Sequence, residues 1–81
     1  MFKYAVITTY SFDQDCEVYR YKTEEEACQA LKQLAEKEYK IQKDENKYNA
    51  ELNIADDLRY ASVTTYWDDD NEVCYYHIVE L

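Results

Sequence analysis

Few side chains in this sequence are of the types that perform catalysis or hold metals. His77 is the only histidine, and Cys74 lies three residues before it. In a strand, residues an odd number apart point to opposite faces, so this pair predicts neither a catalytic dyad nor a metal pair. The three cysteines, Cys16, Cys28 and Cys74, lack the spacing of a zinc site. We therefore expect reduced thiols, no catalytic residues, no metal and no cofactor.

The richest set of oxygen ligands is the acidic segment from Asp68 to Glu72. It lacks the glycine and the twelve-residue spacing of an EF-hand, so a solvated acidic turn is the better interpretation. The chain contains no Gly and no Pro. Phosphate-binding loops and dinucleotide fingerprints need glycine where the backbone meets the phosphate, so both classes are excluded. Turns that require a positive φ are expected to use Asn or Asp.

The charge of the chain is strongly one-sided. It has 18 acidic and 9 basic residues, a net charge of −9. Such a field repels nucleic-acid phosphates and anionic membranes and attracts a basic protein surface. No apolar run approaches the ~18 residues of a membrane span. Because a strand pattern begins directly after Met1, we expect no signal peptide. We expect a cytoplasmic protein with a protein partner and without nucleic-acid or membrane binding.

The periodicity of apolar residues predicts five strands and one helix. Strand patterns cover residues 2–10, 16–22, 50–54, 58–67 and 72–80. Thr23 and Glu26 form a capping-box pattern at the start of a helix that is expected to end near Tyr39. Residues 42–49 have no period and are interpreted as an exposed connector. The sequence thus predicts one α+β domain over residues 1–81: a single antiparallel sheet of four to five strands, order ββαβββ, with one helix packed on one face.

An internal similarity suggests how the sheet faces the helix. Residues 4–10 match residues 60–66 at five of seven positions. If the two strands face alike, Ala5, Ile7, Ala61 and Val63 lie under the helix. The uncovered face then carries the tyrosines Tyr4, Tyr10, Tyr60 and Tyr66. These side chains are either an interaction surface, since Tyr is enriched at binding hot spots, or ordinary cross-strand pairs on a solvated face.

Two further features are candidates for partner binding. Trp67, beside the last turn, is either an exposed anchor or a core residue. The turns of the first and last hairpins are acidic, and no basic residue lies near them in the sequence. They either steer a basic partner or keep the sheet soluble and discourage edge pairing. The acidic candidates are Asp13, Asp15, Glu17, Asp68, Asp69, Asp70 and Glu72.

Several segments resemble a group of short acidic bacterial proteins of unknown function that are associated with mobile genetic elements. The resemblance rests on residues 3–13, on Val18-Tyr19, on residues 23–27 and more weakly on residues 55–57 and 60–61. It implies a small inhibitor of host defence, of the anti-CRISPR type, and brings no catalytic residue with it. The expected function is therefore a non-enzymatic protein-binding module, in its sharpest form an inhibitor that mimics nucleic acid. The alternative is a regulatory or structural domain that binds through the tyrosine face, as a homodimer in one version.

Overall fold

The computed structural model describes all 81 residues and confirms the predicted α+β fold. Five strands form one antiparallel sheet in the order β2-β1-β5-β4-β3. The strands are β1 (Tyr4–Tyr10), β2 (Glu17–Tyr21), β3 (Asn49–Ile54), β4 (Tyr60–Trp67) and β5 (Asp70–Glu80). The longest strand, β5, lies at the centre, and the single α-helix α1 (Glu24–Lys40) connects β2 to the far half of the sheet.

Helix α1 begins at the predicted capping box. The Thr23 hydroxyl accepts a hydrogen bond from the backbone N–H of Glu26 at 3.2 Å and donates to the Glu26 carboxylate at 3.0 Å. Three glutamates in the first turn and Lys37 and Lys40 in the last turn suit the helix dipole. These local signals fix the start of the helix directly after β2.

The core lies between α1 and one face of the sheet. Ala27, Leu31 and Ala35 of the helix lie on one face and are fully buried. They pack against Val63 and other sheet residues that project toward the helix. The sheet members of this cluster are Val6, Ala61, Val63, Cys74, Tyr76 and Ile78.

The predicted facing of β1 is wrong. Val6 pairs with Ile78 and lies in the core, so Ala5 and Ile7 project from the opposite face. The strands β1 and β4 flank β5 on its two sides, but Ala5 pairs with Val79 whereas the equivalent Ala61 pairs with Tyr76, three residues earlier on β5. Because side chains alternate between the two faces of a sheet, an odd difference in register places the equivalent side chains on opposite faces.

The predicted connector over residues 42–49 is also partly wrong. The helix continues as a π-helical segment, Ile41–Glu45, and only residues 46–48 link it to β3. The segment has no apolar stripe, and side-chain hydrogen bonds between residues four apart stabilise it. Gln42 donates to Glu38 at 2.9 Å, and Asn46 donates to Gln42 at 3.1 Å.

The glycine-free turns use a wider range of residues than we expected. The backbone φ is positive at Asp68 (46°), as the chemistry of Asp allows, but also at Lys47 (60°) and Leu58 (60°). At Leu58 the turn is held by its neighbours: the Asp57 carboxylate accepts from the Arg59 N–H at 3.1 Å. Local hydrogen bonds thus offset the cost of a side chain in the left-handed region.

Candidate protein-binding surfaces

The sheet topology brings the two acidic turns together. Because β1 and β5 are antiparallel neighbours, the end of β1 at Tyr10 lies opposite Cys74 near the start of β5. Ser11 connects the two turns: its N–H donates to the Val73 carbonyl, and its Oγ accepts from the Val73 N–H, both at 2.9 Å. We call this edge of the molecule the acidic end. Its acidic residues are Asp13, Asp15, Glu17, Asp68, Asp69, Asp70 and Glu72.

No lysine or arginine forms a salt bridge at the acidic end. The one salt bridge of the chain joins Arg59 and Glu24 at 2.5 Å, at the opposite end of the sheet. Lys37, in the last turn of α1, lines the same cleft as Glu17, yet it forms no ion pair with a carboxylate. The charges of the two turns are therefore available to a partner.

Aromatic residues are next to these acidic residues in the sequence: Phe12 precedes Asp13, and Trp67 precedes Asp68. Phe12, inside the first turn, is 53% exposed and its ring lies 5.3 Å from that of Tyr10. Trp67 is half-buried, outside the core cluster, and its ring lies 5.4 Å from that of Tyr48. Trp67 is thus neither fully exposed nor a core residue. Phe12 was not among the predicted partner-binding residues, although an apolar residue within an acidic turn indicates a candidate contact site.

Glu17 is held by two phenols. The hydroxyls of Tyr19 and Tyr10 both donate to its carboxylate, the latter at 2.9 Å. These hydrogen bonds, that of Tyr19 first, lower the pKa of Glu17 below its usual value. The pKa of Tyr10 is raised by burial and by the bond to Glu17. Glu17 is therefore a fixed negative charge at the acidic end.

The second candidate surface is the sheet face that α1 leaves uncovered, which we call the open face. Its strand residues include few charged side chains, Arg20 on β2 and Glu51 on β3, together with His77 on β5. The rest of the face is apolar or uncharged, and Val18 on the edge strand is 43% exposed. Its apolar and aromatic members beyond alanine are Ile7, Val18, Tyr60, Tyr66, Val73, Tyr75 and Val79.

The four predicted tyrosines do not share this face. Tyr60 and Tyr66 lie on it and are 44% and 40% exposed, but Tyr4 and Tyr10 project toward the helix side. The error follows from the reversed facing of β1. The open face carries Tyr75 instead, which lies on β5 and pairs with Ser62 of β4. Side chains alternate along a strand, so Tyr75 faces away from the buried Cys74 and Tyr76 on either side of it.

The predicted separation of Cys74 and His77 is confirmed. Cys74 lies in the core under α1, whereas His77 pairs with Ile7 and Tyr60 on the open face. Burial, first, and the nearby Glu38 and Glu72 raise the pKa of the Cys74 thiol to about 12, so it is a protonated core side chain at neutral pH. Burial also raises the pKa of the Cys28 thiol.

Two other features are absent from the chain. No group of three or more His, Cys, Asp or Glu side chains is placed to hold a metal ion. No helix combines the length and the apolar character needed to cross a membrane.

No protein-family model, curated protein or solved structure matches this chain.

Proposed function

We propose that this protein is a non-enzymatic binding module that recognises a basic protein surface through its acidic end. The observation that carries the proposal is the placement of both acidic turns side by side, joined by the hydrogen bonds of Ser11 to Val73. Carboxylates that are separated in the sequence thereby form one negative field. A concentrated field of this kind steers an oppositely charged partner and raises its association rate.

The aromatic residues at the acidic end can supply binding free energy, which exposed charges contribute only weakly. Exposed charges contribute mainly to association rate and specificity, whereas buried aromatic anchors carry most of the binding free energy at interfaces. Phe12 is an exposed residue of the first turn, and the half-buried Trp67, which precedes the last turn, packs against the exposed Tyr48. A basic surface with an apolar depression would fit this arrangement.

More specifically, we propose that the protein is a mobile-element-encoded inhibitor that occupies the nucleic-acid channel of a host protein. The resemblance to short acidic proteins of mobile elements supports this form. So does the chemistry: a row of carboxylates resembles a phosphate backbone in charge and offers the same acceptor atoms to Lys and Arg.

The test compares the salt dependence of binding in two variants of equal net charge. The acidic-end variant carries Asp68→Asn, Asp69→Asn and Asp70→Asn, and the control carries Glu25→Gln, Asp56→Asn and Glu80→Gln at the opposite end. An oligolysine peptide is the first probe, and a partner captured from the host is the second. We expect parent and control to bind with affinities that fall steeply between low and high salt, and the acidic-end variant to show a flatter dependence.

Equal losses in both variants would mean that net charge alone attracts the probe, and the acidic end would lose its assigned role. An unchanged salt dependence in the acidic-end variant would have the same meaning. Both triple variants should fold as the parent does, because exposed charges contribute little to stability.

The open face supports a second candidate function, a homodimer or another interaction domain that uses Tyr60, Tyr66 and Tyr75. The observation that favours it is the low charge of this face in a chain of net charge −9. Two such faces can meet without bringing many like charges together, and sheets commonly pack face to face about 10 Å apart. Sedimentation velocity over a range of concentrations tests this. A dimer should strengthen with salt, because screening weakens the repulsion between the two chains, and should be lost in Tyr75→Lys; a monomer at all concentrations excludes it.

A further inference from the structure

A cleft opens between the C-terminal half of α1 and the strands β1, β2 and β5. Its volume is about 230 Å³. Three tyrosines and two carboxylates line it, together with Thr8, and Leu34 and Ile41 close its apolar side. We call it the tyrosine cleft; its polar and aromatic members are Thr8, Tyr10, Glu17, Tyr19, Lys37, Glu38 and Tyr76.

Thr8 marks the tyrosine cleft as more than a gap in the packing. Its residue is 3% exposed, and its Oγ1 has no hydrogen-bond partner within the protein. Thr8 lies between Glu17 and Tyr76 on the neighbouring strands and projects toward the helix, where the cleft lies. A buried hydroxyl without a partner is costly, and in native proteins such groups are rare and call for an explanation.

The carboxylates of the cleft lack a counter-ion. Glu17 accepts from two phenols and Glu38 accepts from the Gln42 amide at 2.9 Å, but neither forms a salt bridge. Lys37 also lines the cleft, and its ammonium stays beyond ion-pair distance of both. The cleft therefore combines two negative charges, one free hydroxyl and three aromatic rings.

We infer that the tyrosine cleft binds a primary ammonium group on an aliphatic stem, such as a lysine side chain of the basic partner. An ammonium group has three N–H donors; the Glu17 and Glu38 carboxylates offer it charged acceptors, and Thr8 Oγ1, with less than 1 Å² of accessible surface, offers a third at the floor of the cleft. Tyrosine rings attract a cation and also pack against its methylene stem. This inference rests on the proposed function only for the source of the lysine, because the cleft itself can be tested with a small molecule.

The experiment is an NMR titration of the full chain with n-butylammonium, with n-butanol as the uncharged control of the same stem. We expect saturable shifts at Thr8, Tyr19 and Glu38 for the ammonium and none for the alcohol. Thr8→Val and Glu38→Gln should each weaken binding about tenfold, the effect of losing one hydrogen bond to a charged group. Lys37→Met should strengthen binding, because it removes the competing cation.

Glu51→Gln is the matched control, since Glu51 also accepts a phenol hydrogen bond, from Tyr66 at 3.0 Å, but on the open face. It should leave binding unchanged. Equal weakening in Glu51→Gln, or shifts confined to residues 68–70, would show a general attraction of cations and overturn the inference. Equal responses to butanol and butylammonium would overturn it as well. A cleft that fails this titration leaves the acidic-end proposal intact, because the triple Asn variant tests that surface separately.

Discussion

The strands β1 and β4 carry nearly the same sequence, yet they turn opposite sets of side chains toward the helix. Ala61 and Val63 of β4 lie under α1, whereas Ala5 and Ile7, at the equivalent positions of β1, face away from it. Both strands pair with β5, one on each side. The facing of a strand is therefore set by its register with its neighbour and not by its local sequence alone.

The one position at which the two segments differ in character explains the outcome. In β4 this position is Ser62, and turning it inward would place a hydroxyl in the core and expose Val63. In β1 the same position is Val6, within a continuous apolar run that is compatible with either facing. The pairing of Val6 with Ile78 then decides, and it brings Thr8 and Tyr10 to the helix side.

The largest expected effect comes from placing a charge at adjacent positions of β1. Val6→Lys puts an ammonium into the core and should cost about 4 kcal/mol or more, because a buried charge without a partner is strongly destabilising. Ile7→Lys should cost about 1 kcal/mol or less, since its ammonium can extend from the open face into water. Urea denaturation measures both. The reverse order of the two losses would restore the facing that sequence similarity predicts.

The contribution of the covered face can be measured at its centre. Leu31 is the largest fully buried side chain, and Leu31→Ala should lower the free energy of unfolding by about 2–5 kcal/mol. Lys32→Ala, on the exposed side of the same turn, should change it by less than ~0.5 kcal/mol. A denaturant titration that shows a similar small loss for Leu31→Ala would remove this residue from the core.

These comparisons show which parts of the molecule could be predicted from sequence. The element order, the helix start at Thr23 and the opposite facing of Cys74 and His77 depend on local period and capping, and all are confirmed. The facing of β1 and the separation of Tyr4 and Tyr10 from Tyr60 and Tyr66 depend on pairing between distant segments. Periodicity within one segment does not contain that information.

The same limit applies to the candidate sites. The acidic residues were identified as two separate turns, and only the order β2-β1-β5-β4 shows that they are neighbours. The tyrosine cleft joins residues of three strands and the helix, and none of its members forms a motif. The π-helical segment lacks an apolar period, and hydrogen bonds of the Gln42 and Asn46 side chains stabilise it instead. Each of these features arises from contacts between segments and not from a pattern within one.

A smaller effect is expected where the two similar strands both carry threonine. Thr8 of β1 is buried with an unpartnered hydroxyl, while Thr64 of β4 lies half-buried on the open face. Thr8→Val should therefore stabilise the protein by about 1 kcal/mol, because it removes a buried polar group that has no partner in the fold. Thr64→Val should change stability by less than ~0.5 kcal/mol. Destabilisation by Thr8→Val would mean that this hydroxyl is satisfied in solution.

The smallest expected effect is a change in the pKa of Glu17, which depends on the tyrosines near the C-terminal ends of β1 and β4. Tyr10 of β1 donates to Glu17 on the edge strand β2, and Tyr66 of β4 donates to Glu51 on the edge strand β3. Glu17 differs in receiving a second hydrogen bond, from Tyr19, which is the main cause of its lowered pKa. Because the folded pKa lies below the unfolded value of ~4.3, this stabilisation is complete above that pH and is lost as pH falls through the folded pKa.

Tyr19→Phe should consequently raise the pKa of Glu17 toward its usual value, with a smaller rise in Tyr10→Phe. A carbon-13 NMR titration of the side-chain carboxyl measures the shift directly. The decline in stability below pH ~4.3 should become shallower in Tyr19→Phe, because less of it comes from protonation of Glu17. Tyr66→Phe is the control on the opposite face and should leave the Glu17 titration unchanged. If Tyr19→Phe also leaves it unchanged, the two phenols do not hold Glu17 in solution, and the carboxylate would no longer be a fixed part of either the acidic end or the tyrosine cleft.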